Sequence, residues 1–242
     1  MNILMPSFGA NLARRIGFGC LAAVVAFMPV MAAGAPAKPP DPVGAPSTAR
    51  APARADFGDV TPSADARQLA DWVLDANDHR QLPFLIVDKK QATAYAFHAD
   101  GVLRGAAAVL LGLAIGDDSV PGIGQRKLSA IRPVERTTPA GRFVAALDRN
   151  LHGAQILWVD YDAAISLHRV VTAAPKERRA ERLASPTPLD NRVSYGCINV
   201  PKAFFDGVVV PAFKGTNGIV YVLPETRSAH AVFGSYDVDR QR

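Results

Sequence analysis

The chain has 242 residues, 49% of them apolar and 20% charged, ordinary proportions for a folded protein with a core that needs neither metal nor disulfides. Its net charge of +5 comes without a long basic block, which excludes the electrostatic footprint of a nucleic-acid grip. Two cysteines, Cys20 and Cys197, are too few for a disulfide scaffold.

The N-terminus predicts an export signal. Arg14 and Arg15 stand in a segment with no acidic residue. The apolar stretch IGFGCLAAVVAFMPVM follows, then small residues at Ala33 and Ala35 or at Ala35 and Ala37. A basic start, a short apolar run and a small-residue cleavage site make a secretory signal, read here as residues 1–35. The run is shorter than the roughly 20 residues of a spanning helix. Removal of the signal takes away two of the 27 basic residues and none of the 22 acidic ones, leaving +3.

Residues 36–62 are rich in Pro and Ala and read as an extended linker. An N-terminal helical segment over 63–81 follows. Ala66, Leu69, Ala70, Val73 and Leu74 recur at helical spacing, and Ser63 is placed to cap a helix over 64–79. From Leu82 the pattern turns to strands. FLIVDKKQATAYAFHADG reads as a hairpin with a turn at Ala99–Gly101. RGAAAVLLGLAIGD is apolar without a strict period, so helix and buried strand both fit. PGIGQRK lacks phosphate-loop spacing and reads as a plain turn. PAGRFVAALD, QILWVDYD and AAISLHRVV read as strands, AFFDGVVVPAF as a short helical turn, and GIVYVLP as a buried strand. KERRAER mixes charges and reads as a solvated turn. The tail, 225–242, reads as loosely attached.

After signal removal Cys197 is the one remaining thiol. It has two readings: an inert buried side chain, or a nucleophile. A nucleophile needs a base, oxyanion donors and small neighbours. Gly196 supplies the small neighbour and permits positive φ. The main-chain N–H groups of Gly196 and Cys197 are candidate oxyanion donors. A free thiol ionises near pH 8.5, so it also needs a basic partner. His79 at a helix end is read as a surface residue. It, with His98 and His152 in turns and His230 in the tail, is read as not catalytic. His168 ends a strand on whose one face lie Ser166, His168 and Val170. Both a catalytic base and a half-buried structural histidine fit that position.

Thr138-Pro139-x-Gly141-x-Phe143, then a strand ending in His168, then Ser194-Tyr195-Gly196-Cys197-x-Asn199 resembles the L,D-transpeptidase catalytic domain (YkuD-like) over about residues 82–224. The resemblance implies a mainly β fold, an L,D-transpeptidase-like β-sandwich with a few short helices and one N-terminal amphipathic helix. It implies Cys197 as nucleophile and His168 as general base. Ser194, Tyr195, Gly196 and Asn199 match the flanking motif positions, with Tyr195 where the family usually has His. It implies peptidoglycan stem peptides as partners, no nucleic acid, no cofactor or metal, a location in the periplasm or cell envelope, and acylation of Cys197 by carbapenems. The implied reaction passes a tetrapeptide stem through a Cys thioester to an amine. Water as acceptor (an L,D-carboxypeptidase) and an inactive wall-binding module are the alternatives. His before Cys in the chain sets it apart from NlpC/P60-type peptidases, where Cys comes first. The polar stretch between His168 and Cys197 reads as a flap over the site.

Overall fold

Phe84–Asp88 (β1) is buried along its whole length, which places it at the centre of a sheet covered on both faces. This follows from a computed structural model that describes residue 51 and residues 53–240. The signal segment, the linker up to residue 50 and the last two residues lie outside the described part. Thr93–Phe97 (β2) pairs antiparallel with β1, and Leu103–Ala108 (β3) pairs antiparallel with β2. The segment left open between helix and strand is thus β3 and the short Leu111–Gly112 (β4).

Gly141–Arg149 (β5), Gln155–Asp160 (β6) and Ile165–Arg169 (β7) form a meander. Arg192–Ser194 (β8) pairs with β4. Ile198–Val200 (β9) pairs parallel to β7, and Gly218–Val222 (β10) inserts between β1 and β5. The eight-stranded order is β3-β2-β1-β10-β5-β6-β7-β9. Leu110 exchanges main-chain hydrogen bonds of 2.8 and 2.9 Å with Asn199. The chain leaving one edge strand therefore meets the opposite edge strand, so one sheet curls until it forms both walls of the domain. The mainly β expectation holds.

Alternation along the strands divides the core in two. Leu85, Val87, Leu157, Leu167 and Val220 point inward with Phe205 and Phe213. Those phenylalanines come from a helical stretch made of Lys202–Phe204 (α3), a π turn at Phe205–Val209 and Val210–Phe213 (α4). Pro211 has no N–H and crowds the carbonyl of the preceding turn, which suits a widened helix there. Phe84, Ile86, Tyr95 and Tyr221 point outward under Leu69 and Val73 of Ala64–Asp75 (α1). Ser63 Oγ accepts from the Ala66 N–H at 3.1 Å, as expected of the cap.

Four expectations need correcting. The described end of the stretch read as a linker is packed: Ala55 and Phe57 are buried in the outer core, and Asp56 exchanges main-chain hydrogen bonds with Gly101 at 3.0 Å and Leu103 at 2.8 Å. The helix stops at Asp75, because Asn77, Arg80 and Gln81 all take positive φ in the turns that follow. His79 is buried, not surface. Its ring nitrogens lie 3.2 Å from the Val73 carbonyl and 2.9 Å from the Ala99 carbonyl, joining helix to hairpin. The tail is not loose. Tyr236 donates to Asp75 at 2.7 Å, Phe233 packs edge-on to Tyr221, and Val238 is buried. Ala229–Phe233 (α5) and the residues after it help roof the outer core.

Candidate active site

Parallel pairing of β7 with β9 sets Leu167 opposite Ile198 and His168 opposite Asn199. Side chains alternate across a sheet, so Ser166, His168, Cys197 and Asn199 fall on the same face. Cys197, half-buried, stands just before β9, with its sulfur 3.7 Å from Ser166 Oγ and 3.7 Å from the Ala164 carbonyl. His168 Nδ1 lies 2.8 Å from the Arg169 carbonyl. That contact fixes a proton on Nδ1 and leaves Nε2 as the basic nitrogen.

The thiol and the imidazole, on one face of the sheet, shift one another. Burial pushes the Cys197 thiol up, but the His168 ring, by hydrogen bond and charge, and the Ser166 N–H and hydroxyl bring it below its ordinary value. For His168 burial acts downward, and the hydrogen bond to Cys197, the thiolate charge and the Arg169 carbonyl outweigh it, raising the ring. Both shifts favour a thiolate beside an imidazolium, the reactive form of a Cys–His pair.

The motif loop is held by short local bonds. Ser194 Oγ accepts from the Gly196 N–H at 3.0 Å and donates to the Cys197 carbonyl at 2.6 Å. Asn199 Nδ2 donates to the same carbonyl at 3.2 Å. The Gly196 N–H is thus buried against Ser194, and of the two expected oxyanion donors only that of Cys197 stays a candidate. Gly196 has φ +129°, and a Cβ there would come within 2.8 Å of the Thr137 carbonyl and 2.7 Å of Ile165. Only glycine fits.

Thr138 explains the upstream motif. Its hydroxyl, fully buried, donates to the Gly196 carbonyl at 2.7 Å and accepts from the Gly112 N–H at 2.8 Å. The Thr138 carbonyl in turn accepts from Lys89 Nζ at 3.0 Å. Lys89 is itself buried, with Asp117 at 2.9 Å and Glu225 at 3.5 Å. Gly141 stands against the ring of Phe143.

Cys197 opens onto a cleft lined by Ile123, Gly124, Arg126, Ile165 and Tyr195. The stretch read as a plain turn is therefore a wall of the site. Gly124 lies so close to the Asp162 carbonyl (2.4 Å from an added Cβ) that no larger residue fits. Tyr195 is in the cleft, and the Arg136 guanidinium stacks 3.8 Å over its ring. That stack places a cation beside Tyr195. Ser166 and His168 line a separate hollow with Gln155, Ile156, Val170 and Val171. The sulfur and the imidazole thus face two different depressions.

Ser166, Arg126 and Arg179 are the site residues that the motif reading did not single out. Ser166 had a legible signal, its period-two relation to His168. Arg179 lies in the stretch read as a solvated turn. Yet its side chain is only 14% exposed and donates to Asn199 Oδ1 at 2.7 Å. His98, His152 and His230 are exposed.

No family model matches the chain, and no curated protein matches it. Solved structures do. The chain is similar to an L,D-transpeptidase from Xylanimonas cellulosilytica (13% identity, TM-score 0.37, 58% of this chain and 60% of that one). It is similar to the catalytic domain of the E. faecium L,D-transpeptidase (14% identity, TM-score 0.34, 59% of this chain and 98% of that one). It is also similar to the helical cell shape determining protein Pgp2 from Campylobacter jejuni (12% identity, TM-score 0.40, 69% of this chain and 58% of that one). The chain thus spans about three fifths of the first and third of these proteins. With every TM-score below 0.5, these likenesses bear on neither mechanism nor substrate.

Proposed function

We propose that the protein is a cysteine acyltransferase that acts on peptidoglycan stem peptides, an L,D-transpeptidase in reaction. The observation that carries this is the placement of Cys197, just before β9, and His168, on the parallel neighbour β7, on one face of the sheet. The shifts of both groups toward the ion pair agree with it. The motif resemblance supplies the substrate class.

His168 Nε2 takes the thiol proton. The thiolate attacks the carbonyl between an L-centre and the terminal D-residue of a tetrapeptide. The oxyanion is met by the Cys197 N–H. The imidazolium returns its proton to the leaving amine, and the terminal D-amino acid departs, leaving a thioester. An amine from a second stem then attacks the thioester, loses its proton to His168, and releases the cross-linked product and the thiol. The second hollow on the His168 side supports an acceptor approaching opposite the donor cleft. With water in place of the amine the same steps trim the stem. The placement proposed is the periplasm or cell envelope, on the strength of the signal-like residues 1–35. Among the described residues no helix is long and apolar enough to cross a membrane.

The test is mass spectrometry of disaccharide-tetrapeptides incubated with the protein and with Cys197→Ala. Cross-linked dimers or exchanged terminal D-residues with the unmodified protein alone support the transpeptidase. Trimmed monomers without dimers transfer the reading to the peptidase. An unchanged mixture, with no carbapenem adduct on Cys197, leaves the inactive wall-binding module.

A further inference from the structure

Between β7 and β8 the chain makes a braced flap, with a 3-10 turn at Pro175–Glu177, a helix at Arg179–Ala184 (α2) and a 3-10 turn at Pro188–Asn191. Its arginines divide by what they reach. Arg178 pairs with Glu181 at 2.9 Å and is 72% exposed. Arg182 donates to the Glu177 and Asp190 carbonyls, both at 2.8 Å, so it closes the flap upon itself. Arg179 leaves the flap. It is held by Glu177 at 2.6 Å and reaches Asn199 Oδ1 at 2.7 Å.

The contact continues to the nucleophile. Asn199 is buried, so its amide has few ways to turn. With Oδ1 fixed by Arg179, Nδ2 faces the Cys197 carbonyl, to which it donates at 3.2 Å. That carbonyl also accepts from Ser194 Oγ. A guanidinium on the flap therefore orients an amide that orients the peptide carrying the thiol. If the flap lifts, the carbonyl loses a donor and a cation leaves the neighbourhood of the Cys–His pair.

We propose that Arg179 is a positioning residue that ties the flap to the Cys197 loop, so that the nucleophile is fully set only with the flap down. The proposal rests on the acyl-transfer reading above and deepens it: flap closure, and hence substrate entry, governs the reactivity of the thiol. Arg179 does not itself line the Cys197 cleft. The charged or titratable groups around the thiol are His168 from β7, Arg126 and Tyr195 across the cleft, and Arg179, whose charge also acts on His168.

The experiment compares the protein with Arg179→Gln and Arg179→Lys in two assays, after thermal melting establishes that each is folded. In stem-peptide turnover, Arg179→Gln is expected to lower kcat roughly tenfold to a hundredfold, the range for losing a charged hydrogen bond in a site. KM stays within about twofold, because Arg179 does not touch the substrate. Arg179→Lys recovers part of the loss. In alkylation of Cys197 by iodoacetamide, the plateau rate at high pH falls in Arg179→Gln and is partly restored in Arg179→Lys, because the Asn199 amide that holds the Cys197 carbonyl loses its anchor. The midpoint does not rise, since the Arg179 charge acts downward on His168 and its removal favours the imidazolium beside the thiolate. An unchanged kcat and plateau alkylation rate in Arg179→Gln overturns the proposal. So does a loss confined to KM, which makes Arg179 a substrate contact, or a lysine variant no better than glutamine. If the unmodified protein turns over no stem peptide, the proposed function fails while the alkylation rates still decide the role of Arg179.

Discussion

Replacing Gly196 by alanine is expected to damage the fold and the site together. At φ +129° an L-residue pays backbone strain of about 1–3 kcal/mol. The new Cβ also meets the Thr137 carbonyl at 2.8 Å and Ile165 Cδ1 at 2.7 Å. The isoleucine methyl can turn away, but the carbonyl belongs to the segment that Thr138 bonds to Gly196, so it cannot move freely. Overpacking of this kind adds about 1–3 kcal/mol, which gives a total of about 2–6 kcal/mol. Gly215→Ala is the control. Gly215 has φ +77° and open space around its Cβ position, so only the strain of a left-handed residue, about 1–2 kcal/mol, applies. Urea denaturation of both variants measures the difference, and iodoacetamide alkylation of Cys197 reports the site. Equal midpoints in urea, or a Gly196→Ala loss below about 1 kcal/mol, refutes the reasoning, since the Thr137 contact would then be easily relieved.

Thr138→Val keeps shape but leaves the Gly112 N–H and Gly196 carbonyl without their buried partner, so a loss of about 2–4 kcal/mol in urea and slower alkylation of Cys197 are expected. Lys89→Met takes the buried cation from Asp117, leaving it the partly exposed Arg227, while Glu225 keeps Arg192; it is expected to cost up to about 3–5 kcal/mol by the same measurement. Acid is expected to destabilise the protein. The Arg132 guanidinium and N–H hold Glu135 down to about 2. Asp117 is also held low; burial acts to raise it, and Lys89, Thr226 and the main-chain N–H groups of Glu225 and Thr226 outweigh burial. Both carboxyls bind protons more weakly folded than unfolded. Their contribution is whole above the ordinary carboxylate range, near pH 4, and is lost as pH falls through the folded values. The melting temperature should drop as pH falls from about 4 to 2, and Glu135→Gln should flatten part of that drop. Tyr195→Phe is expected to leave Cys197 alkylation unchanged because it keeps the ring under Arg136, whereas Tyr195→Ala removes the stack and is expected to alter it.

The strands were legible because their signals are local. Phe84–Val87 is apolar without a break, Thr93–Phe97 alternates, and neither pattern suits a surface helix. The helix cap at Ser63 was legible for the same reason. The helix end was not, since Asn77, Arg80 and Gln81 take positive φ that their residue types do not demand. The packed tail was missed because part of what holds it lies far back in the chain: Tyr236 donates to Asp75, 161 positions earlier. His79 looked like a helix-end surface residue, and the Ala99 carbonyl that buries it belongs to the next hairpin.

Sequence alone determined that the chain is mainly β, and it picked out Cys197, His168 and the loop from Ser194 to Asn199. In that loop the bonds join residues two or three positions apart, so the order of small and polar side chains dictates them. Only the tertiary structure decided which groups surround the thiol. Ser166 reaches it across a parallel strand pair, Thr138 clasps Gly196 from 58 positions away, and Arg179 arrives on the flap. Such contacts have no period in the chain. They exist because the sheet curls until its edges meet at Leu110 and Asn199, which brings the walls of the site together around one sulfur atom.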